Sequence, residues 1–159
     1  MNFLKILQEE KSSNLKGGIY HQTQIKLAYN TNRIEGSKLS EEQTRYIYET
    51  NTLLTEKDET ATNIDDILET VNHFSCFDYM LEIAEEDLSE KHIKQFYYIL
   101  KSNTSDSKKS WFQVGEYKIR PNLVGGIETS QPSEVSSDMK TLISDYIENG
   151  KIADYNGLR

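Results

Sequence analysis

Apolar positions along this chain repeat with a helical spacing almost everywhere, and that spacing breaks down in one stretch. Phe3, Leu4, Ile6 and Leu7 form a first group, and Ile19, Ile25, Leu27 and Ala28 a second. Gly17-Gly18 lies between them and predicts two helices, because paired glycines lose much backbone entropy on becoming helical. Ser40-Glu41-Glu42-Gln43 is a capping box that predicts a helix over 41–49. Residues 50–63, rich in Thr, Glu and Asp, read as a solvated connection. The strongest signal follows: Ile64, Ile67, Leu68, Val71, Phe74, Phe77, Leu81 and Ala84 step by three or four, one face of a long helix. Ser89 is the expected N-cap of the next, whose stripe is Ile93, Phe96, Tyr97 and Leu100.

The period changes at Trp111. Val114, Tyr117 and Ile119 mark a stretch that reads as strand. Arg120-Pro121-Asn122-Leu123 has turn chemistry, and Gly125-Gly126 follows. This predicts one β-hairpin, with Pro121 arguing that its edge is not paired deep inside a sheet. Val135, Met139, Leu142, Ile143, Tyr146 and Ile147 predict a last amphipathic helix, ended by Asn149-Gly150. The fold class expected is therefore mainly α with one hairpin.

Composition narrows the class of function. The 159 residues carry 18 basic and 26 acidic side chains, a net charge of −8, which disfavours binding to nucleic-acid backbones. The mean hydropathy is −0.69. No apolar run approaches the ~18 residues of a membrane span, and the first eleven residues lack the apolar stretch of a signal peptide. Cys76 is the one cysteine, so no internal disulfide forms, which agrees with a reducing cytoplasm. His21, His73 and His92 are scattered; His73 and Cys76 share a helix turn, but two ligands do not make a metal site. There is no Gly-rich phosphate loop and no Gly-x-Ser-x-Gly elbow. Acidic pairs such as Glu85-Glu86 and Asp65-Asp66 read as solvated helix faces.

Glu35-Gly36 stands where one helix should end and the capping-box helix begin. A carboxylate in a last helical turn opposes the macrodipole, which hints at a specific positive partner. Thr31-x-x-x-Glu35-Gly36 matches the (Ser/Thr)-x-x-x-Glu-(Gly/Asn) inhibitory motif of Fic-domain proteins. Residues 114–126, with Glu128-Thr129 and Pro132 after them, resemble the Fic flap hairpin and its exit, and Glu69-x-x-Asn72 on the long helix adds to the match. The resemblance runs from about Tyr20 to Tyr146. It implies a Fic-like helical bundle with one β-hairpin flap over 112–128, inhibitory N-terminal helices over 1–50 and a helical core over 64–149. The implied reaction is AMP transfer from ATP, with Mg, to a hydroxyl of a target protein. Thr31, Glu35 and Gly36 would form the inhibitory motif, Glu35 competing with the ATP phosphate for a catalytic-loop arginine. Tyr117, Lys118, Ile119, Arg120, Pro121, Asn122, Leu123 and Val124 would hold an extended target segment by main-chain pairing.

One departure limits this. Fic catalysis uses His-x-Phe-x-(Asp/Glu)-Gly-Asn-Gly-Arg-x-x-Arg, and the 159 residues do not contain it. The run 154–159, Asp-Tyr-Asn-Gly-Leu-Arg, echoes it faintly, with Tyr155 where the backbone approach needs glycine. Tyr97 stands where many relatives carry His. The expectation is a chain with no catalytic or metal-ligating residue of its own that neither transfers AMP nor holds ATP and Mg well. Its expected partners are a target segment at the flap, and either the missing C-terminal part of a Fic domain or a second copy. The alternative is a stand-alone regulator that acts like an antitoxin, in trans, on a complete Fic partner; a decayed remnant is a third reading.

Overall fold

The helical spacing is realised in a computed structural model that describes residues 2–55 and 61–156. Residues 1, 56–60 and 157–159, which fall within the expected inhibitory region, the solvated connection and the catalytic echo, lie outside the described residues. The long stripe becomes α4 (Ile64–Glu82), capped at its start by the Asn63 side chain. Around it pack α1 (Phe3–Ser12), α2 (Ile19–Ile34), α3 (Glu41–Thr50) and α5 (Glu90–Lys101). Gly17, in the left-handed region at φ 77°, turns the chain between α1 and α2. The capping box at Ser40 closes at both ends: its Oγ accepts from the Gln43 amide, and the Gln43 side chain accepts from the Ser40 amide. Ser89 caps α5 as expected.

Leu7, Tyr20, Phe77 and Leu81 form the buried apolar cluster where α1, α2 and α4 meet. Ile25 and Ala28 on α2 and Ile47 on α3 are buried too, each isoleucine contributing ~1.5–3 kcal/mol of transfer free energy. The core also holds polar groups. Tyr20 donates its hydroxyl to Asp78 at 2.5 Å, and Gln24 donates to the same oxygen at 2.9 Å. Burial, then the Asp78 carboxylate, pushes the Tyr20 phenol far above its ordinary value. Lys11 reaches Asp78 at 3.3 Å from α1, so this cluster joins three helices.

After α5 comes a single 3-10 turn (Asp106–Lys108), then the hairpin strands β1 (Leu123–Val124) and β2 (Ile127–Glu128), then α6 (Val135–Asn156). Four sequence expectations are corrected by this part of the fold. The hairpin turn is Gly125-Gly126, both at positive φ (58° and 81°) as a two-residue primed turn demands, and not Arg120–Leu123. Residues 114–119, expected as strand, form turns, bends and irregular chain, in which Val114 and Tyr117 are half-buried while Ile119 is 56% exposed. The last helix runs through Asn149-Gly150 to Asn156, since one interior glycine costs a helix only ~1 kcal/mol. Val135, Met139, Ile143 and Ile147 are half-buried in steps of four, and α6 packs against α5. Leu142 and Tyr146, counted in the same stripe, are 58% and 60% exposed. Among the described residues no helix is long and apolar enough to cross a membrane.

Candidate functional site

Glu35 closes α2 as its C-cap, and Gly36 follows at φ 97°, where a side chain would be strained. The Ser37 amide donates to the Asn32 carbonyl at 2.9 Å and the Gly36 amide to the Arg33 carbonyl at 3.2 Å. These two bonds are a Schellman motif, whose left-handed position takes Gly or Asn, the same pair the sequence motif allows after Glu. Thr31, half-buried one turn earlier, accepts the Glu35 amide at 3.2 Å through its carbonyl. Thr31, Glu35 and Gly36 are thus one backbone device.

That device is fastened to α4. Asn32, buried, donates its side-chain amide to Thr70 Oγ1 at 3.0 Å, and Thr70 donates on to the Asp66 carbonyl at 2.8 Å. Asp66 accepts the Lys38 amide at 3.0 Å, and Arg33 donates to the Ser37 carbonyl at 3.3 Å. The Glu35 side chain is exposed, and its carboxylate forms no hydrogen bond or ion pair with a described residue. The motif therefore holds an uncommitted carboxylate on a rigid turn.

The flap is fastened at its base and open at its tip. Gly115, at φ 80°, lies against α5 so closely that a Cβ there would meet Tyr98 Cβ at 2.9 Å and the Lys94 carbonyl at 3.3 Å. Glu116 pairs with Lys94 at 2.7 Å, and Lys94 also lies 4.6 Å above the Tyr117 ring. Tyr117 donates to Glu90 at 2.8 Å; burial and this carboxylate push its phenol up to about 12. Beyond that point Lys118 donates to Asn122 at 2.6 Å and to the Thr129 hydroxyl. The Thr129 amide donates to the Asn122 carbonyl at 3.3 Å, extending the pairing of Leu123 with Glu128 and Val124 with Ile127. Leu123, Val124 and Ile127 are exposed. Residues 117–121 make no main-chain hydrogen bond to a described residue.

Of the residues singled out from the sequence, the structure brings Thr31, Glu35 and Gly36 together, and separately Tyr117 to Val124. The motif turn is bonded to α4 and the flap base to α5, and these two helices pack against each other. Asp65, beside Asp66, accepts both the amide (2.9 Å) and the hydroxyl of Ser105, and these bonds hold its carboxyl below the ordinary carboxylate range. Asp65-Asp66, expected as a solvated face, instead grip the loops that follow α2 and α5. One signal for this was present: they sit in the first turn after the Asn63 cap, where acidic residues favour the helix dipole. Glu69 pairs with Lys101 at 2.6 Å; burial lowers the Lys101 amine, but Glu69 together with Asp106 and Tyr97 leaves it above its ordinary value. Asn72 donates to the Leu100 and Ser102 carbonyls at 3.0 and 2.9 Å, closing the end of α5. Tyr97 packs its ring 5.8 Å from that of Phe112. Among the described residues no three His, Cys, Asp or Glu side chains come together as a metal donor set.

No protein-family model matches the chain, and no curated protein matches it. Among solved structures, the crystal structure of a Fic domain-containing signaling protein from Bacteroides thetaiotaomicron superposes on 98% of this chain, with a TM-score of 0.67 and 23% identity. The fold is Fic-like. The chain spans 59% of that protein's length. Within the Fic-like fold the motif turn is carried by the end of α2, and the hairpin by the segment between α5 and α6.

Proposed function

We propose that this chain is the regulatory and target-binding portion of a Fic-type protein adenylyltransferase, which transfers AMP from ATP to a protein hydroxyl and is held inactive by Glu35. The observation that carries the reading is the Schellman turn at Glu35-Gly36: it presents a carboxylate with no described partner from a turn bonded to α4. Such a carboxylate is suited to a bidentate pair with a guanidinium, and a pair of that kind withholds the guanidinium from a phosphate. The reactive His and the anion-binding glycines would come from a segment outside these 159 residues. Positioning and charge neutralisation supply most of the acceleration in such a reaction. The exposed hairpin supports the second half of the reading, an edge on which a target strand pairs. Cys76, buried with its thiol pushed up to about 11, suits a reducing cytoplasm, the compartment this reading assigns.

The test is auto-labelling from radioactive ATP in a protein that joins this chain to a complete Fic catalytic loop. Glu35→Gly is expected to raise the rate by at least ~10-fold, because it frees the phosphate-binding arginine from a bidentate pair. Lys38→Ala, which removes a neighbouring exposed charge, is expected to change little. An unchanged rate in the Glu35→Gly protein overturns the inhibitory role. Absence of label in every form overturns adenylyl transfer itself. The 159 residues alone are expected to take up no label.

A further inference from the structure

Between α5, the base of the flap and α6 lies a cavity of about 630 Å³, within the ~300–1,000 Å³ range of ligand pockets. Its apolar walls are Ile93, Tyr97, Trp111, Phe112, Ile119 and Met139. Lys94, Lys118 and Arg120 also line it, against the single carboxylate of Glu116, although the whole chain carries a charge of −8. Glu116 is taken up by Lys94. Lys118 bonds only an amide oxygen and a hydroxyl, and the Arg120 guanidinium lies 5.0 Å over the Trp111 ring with no carboxylate partner among the described residues. Two cations at an apolar cavity are therefore left without a counter-charge.

The wall of this cavity is continuous with the flap edge. Residues 119–122 line it and run directly into β1. Because Asn122 and Thr129 form a hydrogen-bonded pair, Leu123 occupies the next, non-bonded position and turns its own N–H and C=O away from β2. An added strand along that outer edge runs beside the cavity mouth.

We propose that this cavity is a specificity pocket for the target segment, and that it takes a large apolar side chain with carboxylates close by in sequence. This rests on the proposed function, since it names the class of segment that the flap selects. Charge complementarity commits the pocket to an acidic peptide: Arg120 and Lys118 flank it as unneutralised cations, and a basic segment meets like charge there. An anionic nucleotide is the competing occupant. It is disfavoured because the cavity offers no Gly-rich loop, and its wall at 119–122 includes Pro121, which has no N–H to donate.

Trp111 is the chain's only tryptophan, so its fluorescence reports on the cavity directly. The probe is a short peptide of alternating valine and serine with a central phenylalanine followed by two aspartates. A second peptide carries lysines in place of the aspartates, and a third alanine in place of the phenylalanine. Titrated into the 159-residue chain, the acidic peptide is expected to shift Trp111 emission and to bind at least about fivefold more tightly than the lysine peptide. The alanine peptide is expected to lose most of the binding. Arg120→Glu, an exposed change, is expected to reverse the order of the two charged peptides, with circular dichroism unchanged. Equal affinity for acidic and basic peptides overturns the proposal. So does displacement of the acidic peptide by ATP at equal or lower concentration, which marks the cavity as a nucleotide site. No ATP turnover enters the titration. Equal peptide affinities alongside faster labelling in Glu35→Gly defeat the pocket and leave the function standing; a clear peptide preference without any labelling does the reverse.

Discussion

The turn at Glu35 and the hairpin at Gly125 both project from helices, yet they are held in opposite ways. Around Glu35 the backbone is bonded at every step, to itself through the Schellman motif and to α4 through Asn32 and the Lys38 amide, so that only a side chain is left free. In the flap the side chains of Glu116 and Tyr117 are fixed on α5, and the main chain of residues 117–121, together with the outer edge at Leu123, makes no main-chain hydrogen bond to a described residue. A rigid backbone offering one carboxylate suits recognition of a single guanidinium. A fixed base offering bare N–H and C=O groups suits any extended segment, with selectivity left to the neighbouring cavity.

The largest break in this comparison is expected from the core beneath the first region. Ile25→Ala, at a fully buried α2 position, is expected to cost about 2–5 kcal/mol in urea unfolding followed by circular dichroism. Ile127→Ala, at a position 73% exposed in β2, is expected to stay within about 0.5 kcal/mol. Equal losses would mean that the hairpin belongs to the core. Next, Asn32→Ala is expected to cost about 1–3 kcal/mol, since it deprives buried Thr70 of its donor, and to leave the Trp111 emission of the folded protein unchanged. Gly115→Ala addresses the other region. It is expected to cost about 1–3 kcal/mol and to shift Trp111 emission, because its Cβ must displace Tyr98 or the flap base. Gly126→Ala, with equally positive φ and open space around it, is expected to cost only about 1 kcal/mol and leave the emission alone.

The smallest expected effect is one of pH. Burial holds the His73 imidazole below its ordinary value of 6.5, an effect only partly offset by Glu69. The unfolded chain then binds this proton more readily than the folded one. Stability is therefore complete above 6.5 and falls as the pH drops from there toward the lower folded value. His73→Gln is expected to flatten that part of the curve in thermal melts between those limits. A curve that keeps its slope in the variant assigns the effect elsewhere.

Local rules carried most of the helical architecture. The glycine pair at 17–18, the Ser40 capping box and the stripe from Ile64 each state their element within a few residues. The hairpin was harder to place because the run from Val114 to Ile119 alternates apolar and polar residues without pairing as a strand: Tyr117 is held on α5 by Glu90, while Ile119 is exposed. Gly125-Gly126 held the better turn signal, and Pro121 drew attention away from it. Asn149-Gly150 looked like a stop because a helix end and a tolerated interior glycine have the same local sequence. At the site, Glu35-Gly36 was visible as a pattern. The grip of Asp65 on Ser105, forty residues away, was not, since a carboxylate beside another carboxylate reads as solvent-facing until the fold supplies its donor.

Asp65 and Asp66 are neighbours, so on a helix their side chains diverge by about 100° and reach loops on different sides. One holds the segment after α2 and the other the segment after α5. Both loops thus take their bearings from the same helical turn. Lengthening that connection adds closure entropy that grows only with the logarithm of its length. The stretch between α3 and α4 is therefore a place where insertions can accumulate, or where an engineer can splice in a sensor, while the geometry of motif and flap is inherited unchanged.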